Sequence, residues 1–339
     1  MLQTLLLYLY GSPTSCKESR ILTKGGLFMI KIHNPIPIDK IGDPYVLYWD
    51  GIYYMYATSH VQGFYCWTSR DLDGWSEPVF CYKATERSFG NSMFWAPEVY
   101  EFNGKFYMYY TAHWKIYTGE QLRIGVAVAD HPQGPFKDVY DQQPMFDFGY
   151  GVLDANVLKD GEKAYLYYSI AGSNHFVNGD REAQICVVEL GRDHVSIQGE
   201  AKMILRPEQP WERCQPENHQ YWNEGPFVMK HDGLYYMMYS ANYYQSPYYG
   251  IGYAVARSPW GPFEKYPGNP ILQTSDTVSG PGHNSVVKAE DGQYYNVYHA
   301  HTHYNCPSED RQVYITPLVF DHGKLLLRHP DGLPRKSVV

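Results

Sequence analysis

The sequence predicts an all-β protein, and more specifically a five-bladed β-propeller. One unit, a turn that contains glycine followed by a tyrosine-rich strand, occurs five times: DGIYYMYATSH, NGKFYMYYTAH, DGEKAYLYYS, DGLYYMMYSAN and DGQYYNVYHAH. No long helical period of apolar residues separates the copies. Alternating strands would also suit a β-sandwich, but the recurrence of one three- or four-stranded unit is typical of propeller blades.

The turns of the five units predict tight β-hairpins. Their glycines are separated by 53, 57, 72 and 59 residues and are Gly51, Gly104, Gly161, Gly233 and Gly292. Asp-Gly and Asn-Gly between apolar runs favour type I′ turns, in which both central residues have positive φ. A strand-like run precedes each turn and another follows the tyrosine-rich strand, so each unit contains at least three strands.

Composition limits the possible partners. The chain has 28 basic and 36 acidic residues and a net charge of −8, whereas nucleic-acid binding needs concentrated Lys and Arg. We therefore expect no nucleic-acid partner. No apolar run reaches the roughly 18 residues of a membrane span, so no membrane partner is expected either. The 34 tyrosines suit half-buried strands, and their rings can stack on the C–H groups of sugars.

The cysteines and the N-terminus bear on location and domain organisation. Six scattered cysteines form no CxxC pair, which favours reduced, buried thiols and a cytoplasmic protein: Cys16, Cys66, Cys81, Cys186, Cys214 and Cys306. The early LLLYLY run lacks the basic region and the cleavage site of a signal peptide. Our hypothesis is that Met29 is the natural start. Residues 1–28 would then be a non-native or disordered leader, and residues 29–339 a single catalytic domain.

Three acidic residues occupy nearly the same position in different units. Asp43, Asp154 and Glu224 lie eight, seven and nine residues before the turn glycine, and His283 lies nine before. The second unit has Ala96-Pro97 there instead. Because the first strand of each blade lies nearest the axis, we expect these side chains to meet around one funnel.

This arrangement suits the hydrolysis of a glycosidic bond. A glycosidase needs a carboxylic acid that protonates the leaving oxygen and a carboxylate on the opposite side of the sugar ring. A third carboxylate nearby raises the pKa of the proton donor by like-charge repulsion. Asp43 alone, before Pro44, could simply open a turn, but three acids in register favour an active site.

The motifs around these residues resemble those of glycoside hydrolase family 43, over about Asn34 to Leu327. They follow one another in the order of the blades: Gly42-Asp43-Pro44, Trp95-Ala96-Pro97, Leu153-Asp154-Ala155-Asn156-Val157, Glu224-Gly225-Pro226 and Gly282-His283-Asn284-Ser285. The resemblance implies an inverting mechanism on a five-bladed propeller. It also implies that Asp43 is the general base, that Glu224 is the general acid, and that Asp154 orients Glu224 and raises its pKa.

The same resemblance implies further site residues. His283 is expected near the centre of the channel, with a possible structural calcium ion held through water, although no cofactor is required. Arg311 is expected to point into the pocket as a sugar contact, with a surface ion pair as the alternative.

The residues themselves offer further candidates. Trp95 could stack under the sugar or pack between blades. Phe94, His113 and Trp114 are weaker pocket candidates, for which blade packing is the better explanation.

Two other segments are candidates for a metal site and for a wall of the pocket. His299, His301 and His303 alternate along a strand and could ligate a metal such as zinc, or simply lie near the rim of the pocket. The insertion at residues 207–222 directly precedes Glu224. It could form a wall of the pocket or only fill a loop.

The predicted activity is that of an exo-glycosidase that releases terminal arabinose or xylose from plant-derived oligosaccharides. The chain ends soon after the fifth blade, without the β-sandwich of many family β-xylosidases, which favours an α-L-arabinofuranosidase. Alternatives are an endo-arabinanase, an exo-galactanase or a non-catalytic sugar-binding propeller. A retaining invertase-like enzyme is disfavoured because the Trp-Met-Asn-Asp-Pro and Arg-Asp-Pro motifs are absent. A protein-interaction propeller would not need converging acids. The sequence does not predict the oligomeric state.

Overall fold

The computed structural model describes residues 31–116, 121–304 and 310–327, together with two short strands near the N-terminus. These strands, β1 (Ile21–Leu22) and β2 (Phe28–Met29), pair antiparallel within a separate unit, residues 1–31. The remaining residues, 32–339, form the second unit. Most of residues 1–28 lie outside the described part of the chain, so the hypothesis of a non-native leader stays a prediction.

The second unit contains five four-stranded antiparallel blades, as predicted, and the strands of each blade are in chain order. Blade 1 consists of β3 (Gly42–Trp49), β4 (Ile52–Thr58), β5 (Gly63–Ser69) and β6 (Val79–Lys83). Blade 2 consists of β7 (Gly90–Phe102), β8 (Lys105–Trp114), β9 (Leu122–Ala129) and β10 (Lys137–Asp138). Blade 3 consists of β11 (Val152–Asp160), β12 (Lys163–Ile170), β15 (Ile185–Leu190) and β16 (Ile197–Leu205).

A hairpin inserted in blade 3 extends the neighbouring blade. Its strands are β13 (Phe176–Val177) and β14 (Asp180–Ala183), and β14 pairs in parallel with the start of β17. Blade 4 consists of β17 (Gln220–His231), β18 (Leu234–Ala241), β19 (Gly250–Ala256) and β20 (Glu264–Lys265). Blade 5 consists of β21 (Gly282–Lys288), β22 (Tyr294–His301), β23 (Arg311–Asp321) and β24 (Lys324–Leu327). The sequence gives no sign of this added hairpin.

The first strands of the blades form a closed ring around the axis. In chain order they pack side by side, β3 on β7, then β11, β17 and β21, and β21 packs against β3 again. The segment before β3 joins the ends of the ring. There the side-chain amide of Asn34 donates to Ile315 O (2.8 Å) and accepts from Ile315 N (2.7 Å), while Ile36 N donates to Val313 O. The funnel predicted from the repeats therefore exists.

Three of the five hairpins have the predicted type of turn. Both central residues have positive φ in Asp50-Gly51, Asn103-Gly104 and Asp232-Gly233. In blade 3 the turn is shifted by one residue, because Asp160 pairs with Lys163 and Gly161 takes the first central position. In blade 5 the loop is longer, and the last paired residues are Lys288 and Tyr294. These differences in turn length matter for the position of the acids.

Tyrosines connect neighbouring blades, which explains their abundance. Their rings are buried between sheets, and their hydroxyls donate to a backbone carbonyl in an outer turn of the next blade. The donors and acceptors are Tyr56 to Pro132 O, Tyr109 to His194 O (2.6 Å), Tyr167 to Pro259 O (2.8 Å) and Tyr236 to Gly323 O (3.0 Å). The apolar ring of each tyrosine thus packs the core. At these four positions its polar hydroxyl is paired and not left buried without a partner.

The sequence predicted that the chain has no membrane span and that its cysteines are free and buried. Across the described ranges, no helix has the length and apolar character that crossing a membrane requires. Cys66, Cys81 and Cys186 are free and buried, as predicted, whereas Cys214 is free but exposed. Cys16 and Cys306 lie outside the described residues.

Candidate active site

Each inner strand contains a β-bulge at the same level of the channel. The pairing register with the second strand jumps after Gly42, Trp95, Leu153, Glu224 and Gly282. The first residue of each bulge has a positive φ, between 44° and 58°: Asp43, Ala96, Asp154, Gly225 and His283. Non-glycine residues adopt this conformation at a cost of about 1–3 kcal/mol, and such strain clusters at functional sites. The bulges turn these side chains towards one another.

The bulges correct one detail of the predicted alignment. Asp43, Asp154 and His283 share one position, but in blade 4 that position holds Gly225. Glu224 lies one residue earlier, at the position of Trp95 in blade 2. Blades 1 and 4 have the same two-residue turn, so the count of nine for Glu224 against eight for Asp43 is a true offset of one residue. The counts of seven for Asp154 and nine for His283 differ only because the hairpins of blades 3 and 5 differ. The proposed acid therefore enters the channel from a different backbone position than the other two carboxylates.

The amide of each bulge residue is held by the preceding blade. Four donate to a side chain at the end of that blade's second strand: Ala96 N to Thr58 Oγ1 (2.9 Å), Asp154 N to Thr111 Oγ1 (3.1 Å), His283 N to Ser240 Oγ (2.7 Å) and Asp43 N to His299 Nδ1 (3.1 Å). Each acceptor is the seventh residue after its turn glycine, a spacing from which these contacts could have been predicted.

Blade 4 departs from this pattern. The acceptor expected from blade 3 is Ser169, but its buried Oγ has no hydrogen-bond partner within the described residues. Gly225 N donates instead to Oδ2 of Asp154 over 3.1 Å. The carboxylate of Asp154 thus holds the backbone directly beside Glu224, which is the geometry of a residue that orients the acid.

Asp43 lies beside the guanidinium of Arg311 and two imidazoles. Its Oδ1 accepts from Nη1 of Arg311 (2.7 Å) and lies 3.3 Å from the Nδ1 atoms of both His283 and His299. Its Oδ2 accepts from the hydroxyl of Thr58 (2.5 Å). Burial opposes ionisation, but the Arg311 guanidinium and the two imidazoles hold the pKa of Asp43 well below its usual range. Asp43 is therefore ionised, as a general base must be.

Arg311, predicted as a sugar contact, contacts Asp43 directly. A Cβ atom on Gly42 would lie 1.9 Å from Cζ of Arg311, so only glycine leaves room for the guanidinium beside the strand. The guanidinium also lies over the ring of Tyr244, 5.2 Å from its centroid. Arg311 therefore orients Asp43 and favours its ionised form, and its contact with a sugar stays a prediction.

The pKa values of Glu224 and Asp154 are raised, in contrast to that of Asp43. Burial raises the pKa of Glu224 to about 7, and the charge of Asp43 contributes to the increase. Burial also raises the pKa of Asp154 to about 7; the charges of Glu224 and Asp43 add to the increase, and His283 opposes it. Near neutral pH the channel therefore holds one ionised carboxylate and two carboxyls that retain protons into the neutral range.

Tyr249 contacts the proposed acid and was not found by sequence reasoning. Its hydroxyl donates to Oε1 of Glu224 (2.9 Å), and its ring stacks on that of His299, with centroids 5.8 Å apart. A Cβ atom on Gly282 would lie 1.9 Å from the tyrosine ring, so this contact also depends on glycine. Burial lowers the pKa of His299 to about 3, with Arg311 contributing, so the stacked imidazole is neutral.

A fourth carboxyl lies one layer further along the channel. Glu98 follows the bulge of blade 2 and is buried, and its Oε2 accepts hydrogen bonds from Tyr100 OH and from Asn156 Nδ2 (3.0 Å). Burial raises the pKa of Glu98 to about 8. Asn156 Oδ1 in turn accepts from Val228 N (2.9 Å), so this polar layer links blades 2, 3 and 4.

The other predicted sugar contacts divide into two groups. Trp95 is half-buried at the position that corresponds to Glu224, so stacking on a sugar stays a prediction. His113 is also partly exposed, but its Nε2 accepts from Gln121 N (3.0 Å). Phe94 and Trp114 are buried: Phe94 packs among other aromatic rings of the core, and Trp114 Nε1 donates to Gln142 O. These contacts favour blade packing, and a sugar contact stays a prediction for both.

The histidine run and the insertion have structural roles. His299 is engaged by Asp43, His301 is buried between Ser279 Oγ (3.0 Å) and Tyr244 O (2.7 Å), and His303 is exposed, so the three do not converge. In the insertion, the buried Glu212 accepts from Lys265 Nζ at 2.5 and 2.7 Å. Lys265 also donates to Asn223 Oδ1 (2.9 Å), which anchors the insertion beside Glu224.

The donors around His283 limit how an ion could be held. Within the described ranges, no three His, Cys, Asp or Glu side chains are arranged to ligate a metal. His283 offers one imidazole at the channel, and its Nδ1 already faces Asp43. This donor set fits an ion bound through water rather than a cage of protein ligands, and the calcium ion stays a prediction.

Comparisons with known proteins agree with this geometry. Residues 32–325 match the family described as Glycosyl hydrolases family 43. A solved structure described as a thermostable family-43 glycoside hydrolase is 42% identical, with a TM-score of 0.84, over 90% of this chain and 98% of that one. A β-D-galactofuranosidase from Aspergillus niger is 29% identical over 79% of this chain and 76% of its own length. An extracellular exo-α-(1→5)-L-arabinofuranosidase from Streptomyces chartreusis is 27% identical over 79% of this chain and 81% of its own. The chain is thus a glycoside hydrolase and belongs to family 43.

Proposed function

We propose that the enzyme is an exo-acting, inverting α-L-arabinofuranosidase, with Asp43 as general base and Glu224 as general acid. One observation carries the proposal. Asp43 is ionised by its contact with Arg311, whereas the pKa of Glu224 is raised to about 7 in the same channel. Two carboxyl groups whose environments separate their pKa values are the expected pair for acid–base catalysis.

The mechanism is a single displacement. Asp43 takes a proton from a water molecule, and the oxygen of that water forms a bond to the anomeric carbon. The bond from this carbon to the glycosidic oxygen breaks, and Glu224 gives its proton to that oxygen. The products are a sugar of inverted configuration and the shortened glycan. Because a water molecule must fit between base and sugar, the two carboxyl groups should lie about 6.5–9.5 Å apart.

Asp154 acts on the acid and not on the substrate. Its hydrogen bond to Gly225 N fixes the backbone next to Glu224. When Asp154 carries a charge, it also repels a charge on Glu224, so the two carboxyls titrate as a coupled pair. The repulsion favours the protonated form of Glu224, and the fixed backbone directs its carboxyl towards the glycosidic oxygen.

The relatives favour a furanoside as substrate. One is named a β-D-galactofuranosidase and the other an α-L-arabinofuranosidase. These two sugars share their ring configuration and differ only in the group outside the ring, so one pocket can accept the common part. β-D-xylosidase, endo-arabinanase and exo-galactanase activities remain the alternatives within the family.

A parallel hydrolysis assay tests the proposal. It compares 4-nitrophenyl α-L-arabinofuranoside, β-D-galactofuranoside and β-D-xylopyranoside, for the unmodified enzyme and for Glu224→Gln. Glu217→Gln, which changes an exposed acid of the insertion, serves as the control. We expect the arabinofuranoside to react fastest and Glu224→Gln to lose most of the activity. Faster xyloside hydrolysis would contradict the substrate, and full activity in Glu224→Gln would contradict the acid.

A further inference from the structure

The strand that carries Glu224 presents a second side chain to the same open face. Along β17 the residues Gln220, Trp222 and Glu224 are partly exposed, whereas Tyr221 and Asn223 between them are buried. Because successive side chains of a strand point to opposite faces, Trp222 lies on the face of Glu224, about 6.6 Å further towards the start of the strand.

A second aromatic ring lies next to Trp222. The ring centroids of Trp222 and Tyr243 are 6.3 Å apart, at an angle of 62°. Tyr243 is 44% exposed, and Tyr248 in the same loop is 49% exposed. Single exposed aromatic rings are common on protein surfaces, but a group of them beside an active site is typical of a binding surface.

The loop that carries Tyr243 is fixed to the scaffold. The side-chain amide of Asn242 donates to Trp211 O (2.8 Å) and to Tyr248 O (3.0 Å), and Asn242 N donates to Trp222 O (3.3 Å). These bonds join the loop to the insertion and to β17. The aromatic surface is therefore held in place before substrate binds, which reduces the entropy cost of binding.

The surface is continuous with the base on the other side of the site. Tyr243 contacts Tyr244, with ring centroids 5.0 Å apart, and Tyr244 lies under the guanidinium of Arg311. Arg311 holds Asp43. The aromatic surface thus begins at Tyr244, beside the guanidinium that holds Asp43. It continues through Tyr243 to Trp222, two residues before Glu224.

We propose that Trp222 and Tyr243 form a subsite for the leaving group and that this group is a sugar residue of a glycan chain. The inference rests on the proposed function. Glu224 protonates the glycosidic oxygen, so the departing part of the substrate must lie against the strand that carries Glu224. Aromatic faces bind the C–H faces of sugar rings, and Trp222 lies beyond the acid on that strand. The enzyme therefore selects sugar–sugar linkages.

The experiment compares a substrate that has a sugar leaving group with one that has none. The first is α-1,5-L-arabinotriose and the second is α-L-arabinofuranosyl fluoride. For each enzyme the measured quantity is the ratio of the two kcat/KM values. We expect Trp222→Ala to lower this ratio about tenfold. We expect Tyr243→Ala to lower it by less, and Trp222→Phe to restore part of it because a ring remains.

Trp49→Ala is the matched control. Trp49 is 39% exposed and lies at the opposite end of its strand from the catalytic residues, next to the Asp50-Gly51 turn. A ratio that stays the same in Trp222→Ala, with folding verified by Tm, would overturn the inference. Failure of the proposed function is distinguishable, because the unmodified enzyme would then hydrolyse neither substrate.

Discussion

The hydroxyl of Tyr249 donates a hydrogen bond to Oε1 of Glu224 over 2.9 Å. Because this bond stabilises the ionised carboxylate, it opposes the effect of burial on the pKa of Glu224. The contact also leaves the second oxygen of Glu224 as the one that carries the proton. Tyr249 is therefore a positioning residue, since it acts on the substrate only through the acid.

Replacing Tyr249 with Phe should shift the pH profile. In the unmodified enzyme, kcat/KM should fall as pH rises through about 7, where Glu224 loses its proton. Loss of the hydrogen bond raises the pKa of Glu224, so this limb should move about one unit higher in Tyr249→Phe. Profiles from pH 4 to 10 measure the shift, with Tyr48→Phe, near the Asp50-Gly51 turn at the opposite end of its strand, as the control. An unmoved limb, or one that moves to lower pH, would contradict the role of Tyr249.

The buried carboxyl of Glu98 should make stability depend on pH. Its pKa is raised in the folded protein to about 8, above the ordinary value of a glutamate. The folded state thus binds the proton more tightly, and stability should fall as pH rises from about 4.5 through about 8. Glu98→Gln cannot ionise, so its Tm should exceed that of the unmodified enzyme at pH 9 and match it more closely at pH 5.

Glu98→Ala provides the comparison for this test. It should be less stable than Glu98→Gln by about 2–4 kcal/mol at every pH, because it leaves Asn156 and Tyr100 without their partner and opens a cavity. Thermal unfolding at pH 5, 7 and 9 measures all three proteins. Equal Tm differences between Glu98→Gln and the unmodified enzyme at all three pH values would show that Glu98 does not titrate in this range.

Thr58 connects the proposed base to the next blade. Its hydroxyl donates to Oδ2 of Asp43 and accepts from Ala96 N. Thr58→Val keeps the shape but removes both bonds, so the pKa of Asp43 should rise and the acidic limb of kcat/KM should move to higher pH. Stability should fall by about 1–3 kcal/mol. Thr58→Ser retains the hydroxyl and should behave like the unmodified enzyme. A stability loss without movement of the acidic limb would assign Thr58 a structural role only.

The calcium ion predicted near His283 can be tested by its removal. Binding to the folded state alone stabilises a protein, by about 2.7 kcal/mol when the ligand is at 100 times its Kd. The enzyme treated with chelator should therefore show a higher Tm after addition of CaCl₂, and a smaller increase with MgCl₂. His283→Ala should reduce the response. The same Tm with and without CaCl₂ would contradict the prediction.

The propeller could be predicted from sequence because its signals are local and recur five times. Asp50-Gly51 and Asn103-Gly104 specify their turns without distant contacts. The three acids could be predicted as well, because they precede the turns at nearly constant spacing. The register of Glu224 was off by one residue, because the differing hairpins of blades 3 and 5 spread the counts for Asp154 and His283 over seven to nine and so hid the true offset of Glu224.

The contacts that the sequence did not reveal are long-range. Tyr249, which was not predicted, reaches Glu224 across 25 positions. Arg311 was predicted in the pocket, but its contact with Asp43, across 268 positions, was not. No local pattern encodes such pairs. Phe94 was only a candidate for the pocket, because the sequence does not distinguish a ring that packs a core from one that binds a sugar. Its burial among other rings favours packing.

The stereochemistry of the reaction tests the central claim most directly. If Asp43 activates water, the first product of α-L-arabinofuranoside hydrolysis must have the β configuration, because one displacement inverts the anomeric carbon. ¹H NMR spectra recorded in the first minutes, before the free sugar equilibrates, identify the anomer. A β product is the predicted result. An α product would show two displacements, with a carboxylate as nucleophile, and would contradict the roles given to Asp43 and Glu224.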